Sequence, residues 1–404
     1  MKQALWTIPA VVIGSAIALS ATTASAASFK VGTGQAYTSI QAAVDAAAPG
    51  DTVIVYPGTY EDDNGNPAAV TINKSLKLKA KSKKDDPAKQ VTIVPGPGQL
   101  HGILVEGTEM AFVDGIQIKG FTVQGFPKNG IWLRYVNNFK IDSNTSIDNL
   151  ENGIWPTLSA NGQVKKNVSY GSDDSALWVE GSEEVRVLKN ELYDSVTGLE
   201  VTISKNVEMS KNTVYNNTVG AGFYHPNGAG MDAPEGLEFA VGWELKKNHI
   251  YGNNRPNSAP PSSLAGQLPP GGGVLVLGVD RILIESNLIE GNDFYGVALV
   301  DYCAAVAGSA SDCGMIPAIV EGFPELNKIA KNELIDNGTA PDPMHPLADY
   351  AADLTYILTD IFDPNPSPPY SPNTVCATTP STFTQAGLGS VNQSGSPLII
   401  RAKC

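Results

Sequence analysis

From Asn129 onward, apolar and polar positions recur with a period of 22 or 23 residues, in blocks that begin at Asn129, Asn152, Ser175 and Gly198. Three features hold a fixed phase. A small residue (Gly130, Gly153, Ala176, Gly198) precedes an aliphatic one (Ile131, Ile154, Leu177, Leu199), and an asparagine closes the pattern (Asn144, Asn167, Asn190, Asn212). The asparagine returns after insertions at Asn248, Asn287 and Asn332. Within a block, short runs rich in Ile, Val and Leu alternate with polar residues and show no 3.6-residue stripe. Each block is therefore one coil of a strand solenoid rather than a pair of helices. The predicted fold class is all-β, a right-handed parallel β-helix.

Stacked parallel strands lie about 4.8 Å apart, so each phase of the repeat becomes a column along the molecule. The asparagine column reads as a structural ladder, because Asn tolerates the left-handed turn conformation and its carboxamide can bond from coil to coil. Asn144 and Asn167 also head Asn-x-Ser sequons. A buried ladder position would be a poor glycan acceptor.

A solenoid exposes an apolar cross-section at each end and needs caps. Thr38-Ser39-Ile40-Gln41 has capping-box spacing, and Ile40, Val44 and Ala47 share a helical face, which predicts a short N-terminal lid over residues 38–48. After residue 337 the repeat fades into a proline-rich segment, 338–404, expected to form an irregular C-terminal cap. Residues 27–337 make up the β-helix domain between them, with long insertions at 225–241, 256–271 and 303–328.

Residues 1–26 read as a secretory signal: a basic start at Lys2, an apolar stretch from Ala10 to Leu19, and Ala24-Ser25-Ala26 as the cleavage site. An exported protein is expected, periplasmic or extracellular, with no transmembrane segment in the mature chain, and a monomer. The four cysteines, Cys303, Cys313, Cys376 and Cys404, all fall in the last quarter. In an oxidising compartment they predict two disulfides, one closing a short loop and one fastening the tail. Their spacing does not suit a metal site, and the four histidines are scattered.

The formal charge of −14 becomes −15 once Lys2 leaves with the signal. Nucleic acid is thereby a poor partner, since phosphate binding needs clustered Lys and Arg. Polyanionic glycans are disfavoured on the same ground unless calcium bridges the charges. The sequence demands no cofactor, and calcium is the ion such acidic residues would collect.

Chemistry is expected where the repeat turns outward. The residue after the first inward aliphatic gives the column Leu104, Trp132, Trp155, Trp178, Glu200, Tyr224, Leu275 and Ala298, and a neighbouring column holds Arg134, Thr157, Glu180 and Thr202. Trp132, Trp155, Trp178 and Arg134 are the predicted substrate-binding residues, because indoles pack against sugar rings and a solenoid repeats them along a linear chain. Alternatively, the insertions fold back over the column and make it a second core. Glu180, Glu200, Tyr224 and Asp174 are the catalytic candidates. Paired carboxylates on adjacent coils suit acid and base roles in glycoside cleavage, and Tyr224 with His225, near Glu200 and Arg134, suits proton abstraction beside a uronate. Asp173, Asp194 and Glu151 add acidity at the turns.

Residues 37–337 resemble the pectin-lyase-like β-helix superfamily, through Ser39-Ile40-Gln41-Ala42-Ala43-Val44-Asp45, Gly50-Asp51-Thr52-Val53, Pro57-Gly58-Thr59-Tyr60 and the Lys-Asn or Ser-Asn turns of the coils. Within it they are similar to bacterial periplasmic β-helix repeat proteins, which include a copper-maturation factor of nitrous-oxide respiration and several polysaccharide epimerases and lyases. The resemblance implies the fold, and leaves the activity open because the coil motif is shared by members of different function. The Asp-Pro-His-Asp of alginate epimerases and the Gly-His-Gly of polygalacturonases are absent. Two functional readings follow: a carbohydrate-active β-helix binding an extended polysaccharide and acting as lyase, epimerase or glycoside hydrolase, or a non-catalytic repeat protein docking an envelope protein or polymer.

Overall fold

The computed structural model describes residues 26–62, 64–83, 86–224, 241–301, 322, 324–345, 348–357, 371–378, 383–386 and 399–402. The signal segment before Ala26, His225, and the cysteines Cys303, Cys313 and Cys404 lie outside them, and so does the predicted cysteine pairing. Among the described residues the strands form three parallel sheets of 13, 11 and 10 strands. Each coil contributes one strand to each sheet and then climbs to the next coil, so sequence neighbours lie in different sheets.

The predicted phase decides what is inside. Ile103, Ile131, Ile154, Leu177, Leu199, Ala221, Val274, Val297 and Leu354 are aligned strand by strand in the 11-stranded sheet, and none is exposed. Such columns from all three sheets merge into one apolar core. The small residue ahead of this column stands where the chain turns into the strand. A methyl at Gly153 would sit 2.0 Å from Ser169 Oγ, so the corner has no room for a larger side chain.

The corners are held by buried polar ladders. Asn144, Asn167, Asn190, Asn212, Asn248, Asn287 and Asn332 form the predicted one, each backbone N–H of the first six donating to the next carboxamide oxygen at 2.8–3.0 Å. Each of these asparagines is almost completely buried. The sequence reading missed two further ladders. One runs Asn217, Asn253, Asn292, Asn337 and ends on Asp353; the other runs Ser159, Ser182, Ser204. Together they satisfy backbone groups that a buried turn would otherwise leave unpaired.

The N-terminal lid is the helix Ile40–Ala46, with Ile40, Ala43 and Val44 buried against the first coils. Its N-cap is Ser39, whose hydroxyl accepts from Ala42 N at 3.2 Å, and not Thr38 as the capping-box spacing suggested. Asp62 takes the remaining free amides, accepting from Ile40 N at 2.8 Å and Gln41 N at 3.3 Å. Past residue 337 two sheets continue: Ala352–Ile357 and Phe383–Ala386 extend the 11-stranded sheet, and Asn373–Cys376 and Ile399–Ala402 the 13-stranded one. Among the described residues only the 10-stranded sheet stops, at Glu333–Ile335.

Candidate functional site

The 11-stranded sheet carries the predicted aromatic column on its outer face. Trp132 pairs in register with Trp155, and Trp178 with Glu200. The indoles stack with centroids 5.0 and 5.1 Å apart and planes within 12° of parallel. All three are half-buried. Their ring faces are spent on one another, so the column offers a strip of indole edges rather than open faces for a sugar to cover. His101 closes the N-terminal end, 5.0 Å from Trp132, and burial lowers its pKa.

The register corrects one position. Gly222, not Tyr224, stands beside Glu200, and Tyr224 falls two residues on, in the column of Arg134, Thr157, Glu180 and Thr202. In this coil the first inward residue is Ala221, so the first large apolar residue after the turn, Phe223, occupies the second inward position and misleads a reading anchored on aliphatics. The tyrosine nevertheless returns to the site. Its ring folds over Gly222, where a methyl would lie 2.0 Å from the hydroxyl oxygen.

Around the end of the tryptophan stack the structure gathers four of the predicted residues: Asp174, Glu180, Glu200 and Tyr224. Glu200 is 7% exposed, and Ser175 Oγ donates to its carboxylate. Burial raises its pKa well above the carboxylate range, Asp174 and Glu180 raise it further, and only the Ser175 hydrogen bond opposes them. Burial pushes Glu180 up to about 7 against the pull of Trp155, with Asp174 adding to the rise. Burial, then the charge of Glu151, puts Asp174 at about 6. The cluster thus holds carboxyls poised to give and take protons near neutral pH, because low-polarity surroundings and like charges both penalise ionisation.

Each indole N–H points to the next coil. Trp132 Nε1 donates to Thr157 Oγ1 at 3.0 Å and Trp178 Nε1 to Thr202 Oγ1 at 2.8 Å. The corresponding group of Trp155 is buried against Glu180, whose pKa it pulls down. Tyr224 Oη is buried with Thr197 and Glu200 as its polar neighbours, and Tyr295 adds a further buried hydroxyl nearby. The buried acid is thus ringed by hydroxyl and indole donors of the chain's own coils.

Arg134 stays apart from this cluster. It stands two strands from Glu180, pairs with Glu106 at 3.5 Å and lies over the Tyr135 ring. Of the other acidic residues, Glu151 pairs with Lys128 at 3.5 Å and Asp194 accepts from Asn216. Among the described residues no group of three or more His, Cys, Asp or Glu side chains is arranged to hold a metal ion.

Beyond Glu200 the same outer face is covered. Val219, Leu275, Leu277, Phe294, Tyr295, Ala298 and Val300 form a second apolar cluster, with Leu268, Tyr350 and Ala351 packed on it. The covering insertion folds on its own polar contacts and reaches back to the site, where Ser258 Oγ donates to Asp173 at 2.7 Å. The column is therefore half-open from Trp132 to Trp178 and covered as a second core from Val219 onward. The carboxyl cluster sits at the junction.

A family model described as a right handed beta helix region matches residues 101–233. The chain has a right-handed parallel β-helix fold. Among solved structures, this β-helix is similar to the A-module of the mannuronan C-5 epimerase AlgE4 of Azotobacter vinelandii, at 16% identity and a TM-score of 0.61, over 90% of this chain and 86% of that one. It is also similar to DFA-IIIase of Arthrobacter chlorophenolicus A6, at 10% identity and a TM-score of 0.52, over 90% and 80%. No curated protein matches it by sequence. No helix among the described residues is long and apolar enough to cross a membrane.

Proposed function

We propose that this β-helix binds an extended polysaccharide along the indole edges of Trp132, Trp155 and Trp178 and acts on it at the Asp174, Glu180 and Glu200 carboxyls. The observation that carries the reading is the junction itself. An aromatic strip of one-coil spacing runs into buried carboxyls with raised pKa values, beside the buried hydroxyls of Tyr224 and Thr197. Structural neighbours named for a mannuronan epimerase and a DFA-IIIase support a polymer or oligosaccharide ligand at the level of the fold.

The chemistry is acid and base. Burial favours the protonated form of Glu200, which suits it as the proton donor, and Glu180, with a pKa of about 7, exchanges a proton readily at working pH. Burial holds both high, and the charge of Asp174 adds to the rise. Among the described residues no unpaired cation stands in the cluster to neutralise a uronate, and Arg134 is engaged by Glu106. Local charge therefore favours cleavage of a glycosidic bond in a neutral glycan over abstraction of a proton beside a carboxylate.

The test is to incubate the mature protein with neutral and uronate glycans and follow new reducing ends and unsaturated products together. Reducing ends without unsaturation, from a neutral glycan, are expected, and they should be lost in Glu180→Gln and Glu200→Gln variants that still unfold cooperatively. Unsaturated products would replace cleavage by elimination. The second reading, a non-catalytic glycan or envelope-polymer docking face, is favoured by the small exposure of Glu200, and retention of glycan without any product would establish it.

A further inference from the structure

The corner between the 13- and 10-stranded sheets carries a second, unrelated pattern. Immediately before each ladder asparagine stands a residue with positive φ: Gly120 before Phe121 at the start of the series, then Ser143, Lys166, Lys189, Lys211, Lys247, Ser286 and Lys331. Left-handed backbone favours Gly, Asn and Asp, and lysine gains nothing from it. The next corner along the same coils is an internal control. There the positive-φ residues are Gly125, Asp148, Gly171, Asp194, Asn216, Gly252, Gly291 and Asp336, the types the conformation prefers. The fold also places Tyr135, Leu158 and Ile203 in left-handed turns, so what marks the present corner is the repetition of one charged residue type.

The lysines also meet an electrostatic cost, because like charges on adjacent strands repel. Lys166, Lys189, Lys211 and Lys247 are all exposed and occupy four successive coils. Their backbones are fixed by N–H donation to the following coil, at 3.0, 3.1, 3.2 and 3.1 Å. Among the described residues no carboxylate forms an ion pair with any of the four. A protein of net charge −14 therefore holds a straight file of unneutralised ammonium groups at the coil spacing of about 4.8 Å.

Four residues after each lysine, on the same four coils, comes a tyrosine: Tyr170, Tyr193, Tyr215 and Tyr251. Their rings stack at 4.6, 4.9 and 5.1 Å with planes within 13° of parallel. Because the ring faces are used within the stack, the ladder presents edges and hydroxyls. That suits the hydroxyls of a sugar chain and offers no free face for a nucleobase, whose single-stranded binding relies on stacking. Glu191 and Glu290 on this face are hydrogen-bonded, by Tyr215 at 3.0 Å and His249 at 2.7 Å, and with Asp148 and Asp194 near the tyrosines they confine anion binding to the lysine file.

We infer that this corner binds a linear anionic polysaccharide, with Lys166, Lys189, Lys211 and Lys247 pairing with its regularly spaced carboxylates or sulfates and the tyrosine ladder bedding its sugars. The site lies on a different sheet from the carboxyl cluster and stands or falls independently of it. It would hold the protein on an acidic polymer while the other face meets its own ligand.

The experiment is electrophoresis of the full mature chain through gels containing polygalacturonate, dextran sulfate or neutral dextran, at low and high salt. Retardation by the anionic polymers alone, weakened by salt, is expected. A variant with all four lysines changed to serine should lose affinity by about tenfold or more. Serine at Ser143 and Ser286 in the same phase shows that the turn accepts it. The fourfold Lys→Arg variant should retain affinity, and Glu180→Gln and Glu200→Gln should leave it unchanged. Absence of retardation by both anionic polymers, or unchanged retardation of the serine variant, overturns the inference. Equal binding of single-stranded DNA, lost with the same four lysines, would replace the polysaccharide with nucleic acid.

Discussion

Trp178 and Glu200 stand side by side on adjacent strands, at the same position of successive coils of the 11-stranded sheet. The step from an indole to a buried carboxyl at that position is the point where the outer face changes from an aromatic strip to a covered core. The stack ends there because the next coil replaces its tryptophan, and the coil after that has only Gly222, over which Tyr224 folds.

Glu180 ties stability to pH. Its folded pKa of about 7 lies above the ordinary 4.5, so the folded state prefers the protonated form. The stabilisation is complete below the ordinary value and is lost as pH rises through about 7, by on the order of 3 kcal/mol. Urea midpoints should be higher at pH 5 than at pH 8, and Glu180→Gln should flatten much of that difference. A midpoint that rises with pH in the wild type, or an undiminished slope in the variant, would contradict the environment described.

Tyr224→Phe removes a buried hydroxyl whose polar neighbours are Thr197 and Glu200. One neutral hydrogen bond contributes about 1 kcal/mol, so the thermal midpoint of the phenylalanine variant should change little. Turnover should fall about tenfold or more in the same variant. Activity lost without a matching loss of stability is the signature of a functional polar group, and turnover that is unchanged would contradict that role.

Asn190→Ala should be severe although it lies far from the carboxyls. The carboxamide accepts from Asn167 N and from Asn167 Nδ2, both at 3.0 Å, and donates to Val164 O at 3.0 Å. Its loss strands buried groups on the neighbouring coil, a cost of about 3 kcal/mol. Equilibrium unfolding in urea measures it directly, and a loss below about 1 kcal/mol would mean that the ladder is not a main support of the corners.

The coil repeat was legible because one column needs one kind of residue. Ile131, Ile154, Leu177 and Leu199 face the same core, Asn144 through Asn212 fill the same corner, and Trp132, Trp155, Trp178 and Glu200 could be aligned from sequence alone. Tyr224 was misphased because Ala221 gives too weak an apolar signal to mark the first inward position. The serine ladder of Ser159, Ser182 and Ser204 was hidden because serine is common at turns and its bonding partner lies a whole coil away. Whether the aromatic column is open or covered was undecidable from periodicity. It depends on where an insertion such as the one carrying Ser258 and Leu268 comes to rest, and that is set by contacts across 85 residues, as between Ser258 and Asp173.

Binding of a glycan at the indole strip is the central claim, and affinity electrophoresis against a panel of neutral polysaccharides tests it most directly. The account predicts retardation of the wild type by at least one of them, abolished when Trp155 and Trp178 are changed to alanine in a chain that still unfolds cooperatively. Retardation that survives both substitutions, or none across the panel, would contradict it.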